Sequence, residues 1–160
     1  MKSVVLRWCG ILSVVTLLPA CGGKVPLLPP DPTIARFQIV ADANVNPDSK
    51  GRATPVVVRY YVLANPAAFE GADFFSLFDG DEKVLGATLV AREELTLRPG
   101  QTASTDIKPQ AEAKAVAVFV AFRDVNKSVW RATAVLAPNK TNIYNVRVQK
   151  DRVSLLGGAK

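Results

Sequence analysis

Lys114-Ala115-Val116-Ala117-Val118-Phe119-Val120-Ala121-Phe122-Arg123 decides the architecture of this chain. Side chains of an extended segment alternate between two faces. Ala115, Ala117, Phe119 and Ala121 therefore lie on one side, and Val116, Val118, Val120 and Phe122 on the other. Both sides are apolar, so the reading predicts a central strand covered on both faces. The Ala-rich side lets a bulky layer come close. The candidate for that layer is Phe69–Phe78, which holds Phe69, Phe74, Phe75 and Phe78 out of 7 Phe in the chain.

β patterns recur on either side of this stretch. Ala35, Phe37, Ile39 and Ala41 alternate with Arg36, Gln38 and Asp42, and only Val40 breaks the polar side. Pro55–Leu63 is rich in β-branched and aromatic residues. Leu89–Leu97 is a further strand, closed by the turn Arg98-Pro99-Gly100. Thr102–Lys108 reads as a polar edge strand, and Val129–Leu136 and Asn142–Gln149 as two more. Leu155–Lys160 reads as a frayed tail.

Between the strands, Asn65-Pro66 has the cap-then-proline form of a helix start. Phe74, Leu77 and Phe78 share one helical face, with Phe75 offset. Asp79-Gly80 breaks the segment, and Asp81 caps a short turn reaching Leu85. Short strands with short connections pair antiparallel. The fold class expected is all-β, an antiparallel β-sandwich with a small inserted helical element at 65–86.

The amino terminus carries its own signal. Lys2 and Arg7 precede an apolar run from Trp8 to Leu18, roughly ten residues and too short to span a bilayer. Leu18-Pro19-Ala20-Cys21 then has the form of a lipobox: Leu at −3, small Ala at −1 and Cys at +1. That chemistry needs a small residue before the scissile bond and a thiol to receive a diacylglyceryl group. Cys9 lies inside the apolar run, fits no such box and is expected to leave with the signal. Gly22–Pro32 contains four prolines and reads as an extended tether of roughly 30 Å. Gly22 rather than Asp follows Cys21, which by the sorting rule of many bacterial lipoproteins implies the outer membrane. The expected division is a signal peptide at 1–20, acylated Cys21 and tether at 21–32, the sandwich at 33–156 and a tail at 157–160.

Composition narrows the chemistry. The formal net charge is +6, and removal of Lys2 and Arg7 leaves a mildly basic +4. The charges are scattered, with no Lys/Arg block of the nucleic-acid kind. There is no His, and of 2 Cys one is discarded and one acylated. A general base of the commonest kind and zinc, copper or haem ligation are thereby set aside, and no cofactor or metal site is expected. No calcium-loop motif is present. Glu93-Glu94 are neighbours on a strand and point to opposite faces, so they do not share a catalytic site. No enzyme is expected.

The candidate site is the long connection Asn44–Pro55, roughly a dozen residues where tight hairpins use two to five. Its members Asn46, Pro47, Asp48, Ser49, Lys50, Gly51 and Arg52 combine turn-forming residues with cations on either side of Gly51 that can meet acidic groups. Loops on a rigid sandwich carry recognition while the strands hold them. The alternative is a solvated hairpin. Arg123, Asp124, Trp130 and Arg131 read as a hairpin with local ion pairing and Arg stacking on Trp, the alternative being a recognition patch.

With these pieces in order, the chain resembles the type VI secretion lipoprotein family TssJ, also called SciN or VasD. The residues carrying the resemblance are Cys21, then Asn46-Pro47-Asp48 with Arg52 and Pro55, and Val58-Arg59-Tyr60-Tyr61-Val62-Leu63. Phe69-Glu70-Gly71-Ala72-Asp73-Phe74-Phe75-Ser76-Leu77, Leu97-Arg98-Pro99-Gly100, and Phe122-Arg123-Asp124 with Trp130-Arg131 complete it. The resemblance implies a transthyretin-like sandwich with extra helices, lipid-anchored in the outer membrane and facing the periplasm. It further implies docking of the periplasmic C-terminal region of the inner-membrane protein TssM, with TssL in the same complex. The resemblance also implies that the loop between the first two strands belongs to the partner site. Two rival readings remain: a lipoprotein binding a lipid or glycan at the sandwich–helix junction, and a pilotin of another secretion machine. A deep apolar pocket lined by Phe74 or Phe78 would favour the former.

Overall fold

A computed structural model of the chain describes residues 29–110 and 112–159. Cys21 and most of the tether lie outside the described residues. Among the described residues, eight strands form two four-stranded sheets. In chain order they are β1 (Ile34–Ala41), β2 (Val56–Leu63), β3 (Leu89–Leu97), β4 (Thr102–Ile107), β5 (Ala115–Val120), β6 (Arg131–Val135), β7 (Thr141–Val148) and β8 (Val153–Ala159). One sheet has the order β4-β1-β7-β8 and the other β3-β2-β5-β6. Two helices, α1 (Ala67–Gly71) and α2 (Phe74–Leu85), lie between β2 and β3.

β5 is central and every one of its residues is buried, as its apolar alternation requires. Val116, Val118 and Val120 face the opposite sheet, packed with Phe37, Ile39, Tyr60, Tyr144 and Val146. Ala115, Ala117 and Phe119 face the helices, packed with Tyr61, Phe69, Phe74 and Leu77. Each large side chain so buried stabilises the fold by roughly 1.5–3 kcal/mol before the entropy of ordering it.

Two features depart from the sequence reading. β1 and β7 pair in parallel, Phe37 opposite Tyr144, while the other pairings between strands are antiparallel. The second departure is the carboxyl end. Leu155–Ala159 is the outer part of β8 and not a frayed tail, in register with Asn142–Val146 of β7. Gly157 has φ +128, and a Cβ there would collide with the Ile143 carbonyl oxygen. Gly157, which looks like tail chemistry, is what lets this strand lie against β7.

The connections sort to two ends of the sandwich. Ile34 begins β1 beside Lys140, whose carbonyl accepts its N–H at 3.0 Å, so the tether joins at one end. The connections 42–55, 98–101, 121–130 and 149–152 gather at the other. The eight residues of β1 separate the two ends by ~25 Å.

Candidate partner-docking loops

The connection from β1 to β2 is a built structure. Val45 is fully buried, and Asn46 is 4% exposed. Asn46 has φ 48, a left-handed conformation that Asn tolerates better than most residues. Its side chain explains the placement. The Nδ2 group donates to Thr54 Oγ1 at 3.1 Å and to the Pro55 carbonyl at 2.9 Å. Its Oδ1 accepts from the Arg123 N–H at 2.9 Å. The Asn46 N–H donates to the Lys150 carbonyl at 3.0 Å. One side chain thus closes its own loop and ties it to the neighbouring one.

The tip is organised by Asp48. Its carboxylate accepts from the N–H groups of Lys50 and Arg52 at 2.9 and 3.0 Å and from Arg52 Nε at 2.8 Å. The backbone hydrogen bond from Arg52, followed by its side-chain bond, holds the Asp48 carboxyl below the ordinary carboxylate range. Gly51 turns the chain with φ +76 and donates its N–H to the Asp48 carbonyl. Arg52 is therefore spent on Asp48, while the neighbouring Lys50 is exposed. Pro47, Asp48, Ser49 and Gly51 line a hollow of about 610 Å³, whose far walls are Phe122, Asp124, Lys127, Ser128, Lys150 and Asp151.

The seven residues singled out in this loop thus divide by environment. Asn46 is interior and positions the loop. Asp48 and Arg52 shape the tip. Pro47, Ser49 and Gly51 border the hollow, and Lys50 projects to solvent. Arg123 and Asp124 stand out in the sequence, but the walls at 125–128 and 150–151 carry no signal there beyond turn chemistry; only the pairing of the strands brings these walls beside Asn46.

Arg123, Asp124, Trp130 and Arg131 flank the connection of the antiparallel pair β5 and β6, as the hairpin reading expects, but they do not all contact one another. Arg123 Nε donates to Thr54 Oγ1 at 3.2 Å, and Asp124 pairs with Lys127 at 3.3 Å. Arg131 lies over the Trp130 ring at 4.6 Å, as stacking requires. It also donates to the carbonyls of Phe69 and Ala72 at 3.1 and 2.7 Å, and so clamps the helical insert.

The junction between the insert and the sheet is filled. The Phe74 ring packs against Phe119 at 5.0 Å, Phe75 at 5.3 Å and Trp130 at 5.4 Å. Phe78 stacks on Phe74 at 5.8 Å and covers Arg59. Phe75 and Phe78 are 63% and 42% exposed, so they cap this layer from outside and do not line a cavity.

Beneath the insert lies an ion network that sequence reading missed. Asp81 is 6% exposed, just beyond the break at Gly80. Its Oδ2 accepts from Tyr61 Oη at 2.7 Å, Arg92 Nε at 2.8 Å and Arg59 Nη1 at 3.3 Å. Both arginines also reach Glu94 Oε2, at 2.6 and 2.9 Å. Burial alone would raise the Asp81 carboxyl; hydrogen bonds from Arg92 and Tyr61 and the arginine charges hold it below the ordinary range. Burial, then the hydrogen bond to Asp81, pushes the Tyr61 hydroxyl up. Strand alternation was the available clue: Arg59, Tyr61, Arg92 and Glu94 all point to the helix side, opposite one another in the β2–β3 register. Glu93 points the other way, where it accepts from Tyr60 Oη at 2.7 Å. Burial, then this bond, pushes the Tyr60 hydroxyl up to about 12.

Among the described residues, no group of three or more His, Cys, Asp or Glu could hold a metal ion, and no helix is long and apolar enough to cross a membrane.

Residues 33–151 match the family described as type VI secretion lipoprotein, VasD, EvfM, TssJ. No curated protein matches the chain. Among solved structures, the type VI lipoprotein TssJ1 from Pseudomonas aeruginosa is 27% identical, with a TM-score of 0.75 over 79% of this chain and 96% of that one. A chain of a type VI membrane complex is also 27% identical, with a TM-score of 0.67 over 79% and 99%. A chain in the structure of the TssM C-terminal domain (869–1107) from EAEC is 26% identical, with a TM-score of 0.63 over 78% and 98%.

Proposed function

The chain belongs to the TssJ family of type VI secretion lipoproteins, and from that membership we propose that it docks the periplasmic C-terminal region of TssM while a lipid on Cys21 holds it to the outer membrane. One observation carries the docking. The chain matched alongside the TssM fragment aligns over 98% of its length with 78% of this 160-residue chain. It is therefore far shorter than the span 869–1107 and has the length of a lipoprotein of this kind. The built loop end, with its hollow between three connections, is the surface suited to such a partner.

The mechanism is mechanical. Acyl chains on Cys21 fix one end, with ~0.8 kcal/mol for each buried methylene. The proline-rich tether spans the headgroups. The sandwich presents the loop 44–55 at the end opposite the tether, directed away from the anchoring membrane and toward an inner-membrane partner. TssL joins through that partner and needs no surface of its own on this domain. No step calls for catalysis, a cofactor or a metal.

The filled junction around Phe74 speaks against a lipid or glycan ligand there, because the rings occupy the space a ligand would take. Cys21→Ser in cells tests the anchor. The expected result is a folded protein lost from the membrane fraction and a loss of secretion; normal secretion by a fully unlipidated protein would refute the reading.

A further inference from the structure

Charge is distributed unevenly over this domain. At the loop end every aspartate already has a cation: Asp42 pairs with Arg147, Asp48 with Arg52, Asp124 with Lys127 and Asp151 with Arg152. Four further cations stand at that end, Lys50, Arg98, Arg123 and Lys150. All four are exposed, and none forms a salt bridge with a carboxylate among the described residues, although the Arg123 charge reaches Asp48. Hydrogen bonds hold their backbones together. Asn46 joins Lys150 and Arg123, and the Gly100 N–H donates to the Asp42 carbonyl beside Arg98. The exposed charges of the helical insert have the opposite sign: Glu70, Asp73, Asp79 and Glu82 face a single Lys83, while Asp81 is buried against Arg59 and Arg92.

We propose that the partner segment seated on the loop end is acidic, its Asp and Glu side chains meeting Lys150 at the edge of the hollow and Lys50, Arg98 and Arg123 on the loops beside it. This rests on the docking reading above and adds the chemistry of what is docked. Unpaired cations beside paired ones leave an excess positive field, which draws an acidic segment in and fixes its register. The acidic insert repels the same segment and restricts it to one end. An anionic membrane is the other surface such a patch suits. The tether, however, joins ~25 Å away at the opposite end of β1, so the membrane holding the anchor lies on the far side.

The test is binding of the purified full-length chain, in neutral detergent, to the periplasmic C-terminal region of its cognate TssM at low and moderate salt. The paired variant Lys50→Glu/Lys150→Glu is run beside Lys83→Glu, which lies on the insert. The account expects about tenfold weaker binding on raising salt from 0.05 to 0.3 M, and a further loss of about tenfold in the double reversal. Lys83→Glu, away from the loop end, should bind within about twofold of the native chain. Native binding that neither salt nor the reversal moves by more than about twofold overturns the acidic-segment proposal and leaves docking intact. No native binding at low salt overturns both. Retention on phosphatidylglycerol vesicles through Lys50 and Lys150, without salt-sensitive partner binding, assigns the patch to lipid and overturns the proposal.

Discussion

The side-chain oxygen of Asn46 accepts the backbone N–H of Arg123 at 2.9 Å, across 77 positions of sequence. It joins the first loop to the connection after β5 and makes two loops one surface. Asn46→Ala removes this bond and those to Thr54 and Pro55, and leaves a left-handed φ that Ala resists. The expected loss is about 3 kcal/mol by chemical denaturation, with faster amide exchange over residues 44–55 and at Arg123. Asn46→Gly, which relieves the backbone and not the bonds, should fall between Ala and the native chain.

Asp81 gives the fold an acid-sensitive joint. Its folded carboxyl lies below the unfolded value, so its contribution is full above about pH 4 and is lost as pH falls through the folded value. Asp81→Ala leaves Arg59 and Arg92 partly buried and should cost about 3–5 kcal/mol at pH 7. Denaturation from pH 7 to pH 2 should show a shallower acid loss in Asp81→Asn than in the native chain. Equal slopes would remove Asp81 from the account of acid stability.

Gly157→Ala tests the last strand. The added Cβ meets the Ile143 carbonyl, and the backbone has φ +128. The expected outcome is a loss of roughly 2 kcal/mol or more and loss of exchange protection over β8, with β2 and β5 still protected. Full retention of protection would mean that β7 shifts to accommodate the methyl group.

Phe119→Ala removes the ring that Phe74 and Trp130 pack upon. It should cost about 3–5 kcal/mol in a melt followed by Trp fluorescence, because the void lies between sheet and insert.

Much of the sandwich was legible because period-two alternation is strong where both faces are buried, as at Ala115–Val120. The insert was legible from Asn65-Pro66 and the break at Asp79-Gly80. β8 was not, because a glycine that permits a close strand, as Gly157 does, looks the same in sequence as one that ends it. The parallel β1–β7 pairing was also hidden, since alternation fixes which face a residue takes and not the direction of its neighbour. At the candidate site, the long loop and its turn residues were visible. The inward role of Asn46 was not: nothing in Asn46-Pro47-Asp48 says that its amide reaches Thr54, Pro55 and the Arg123 N–H. Asp81 read as a cap because the cations around it come from two other strands.

The most direct test of docking is calorimetry of the full-length chain in neutral detergent with the periplasmic C-terminal region of its cognate TssM. A variant with Asp48–Arg52 replaced by Gly/Ser is measured beside it, after its melting temperature is shown to be unchanged. The account predicts micromolar or tighter binding by the native chain and none by the variant. Equal binding by the variant would contradict the assignment of the site to this loop, and no binding by the folded native chain would contradict the docking itself.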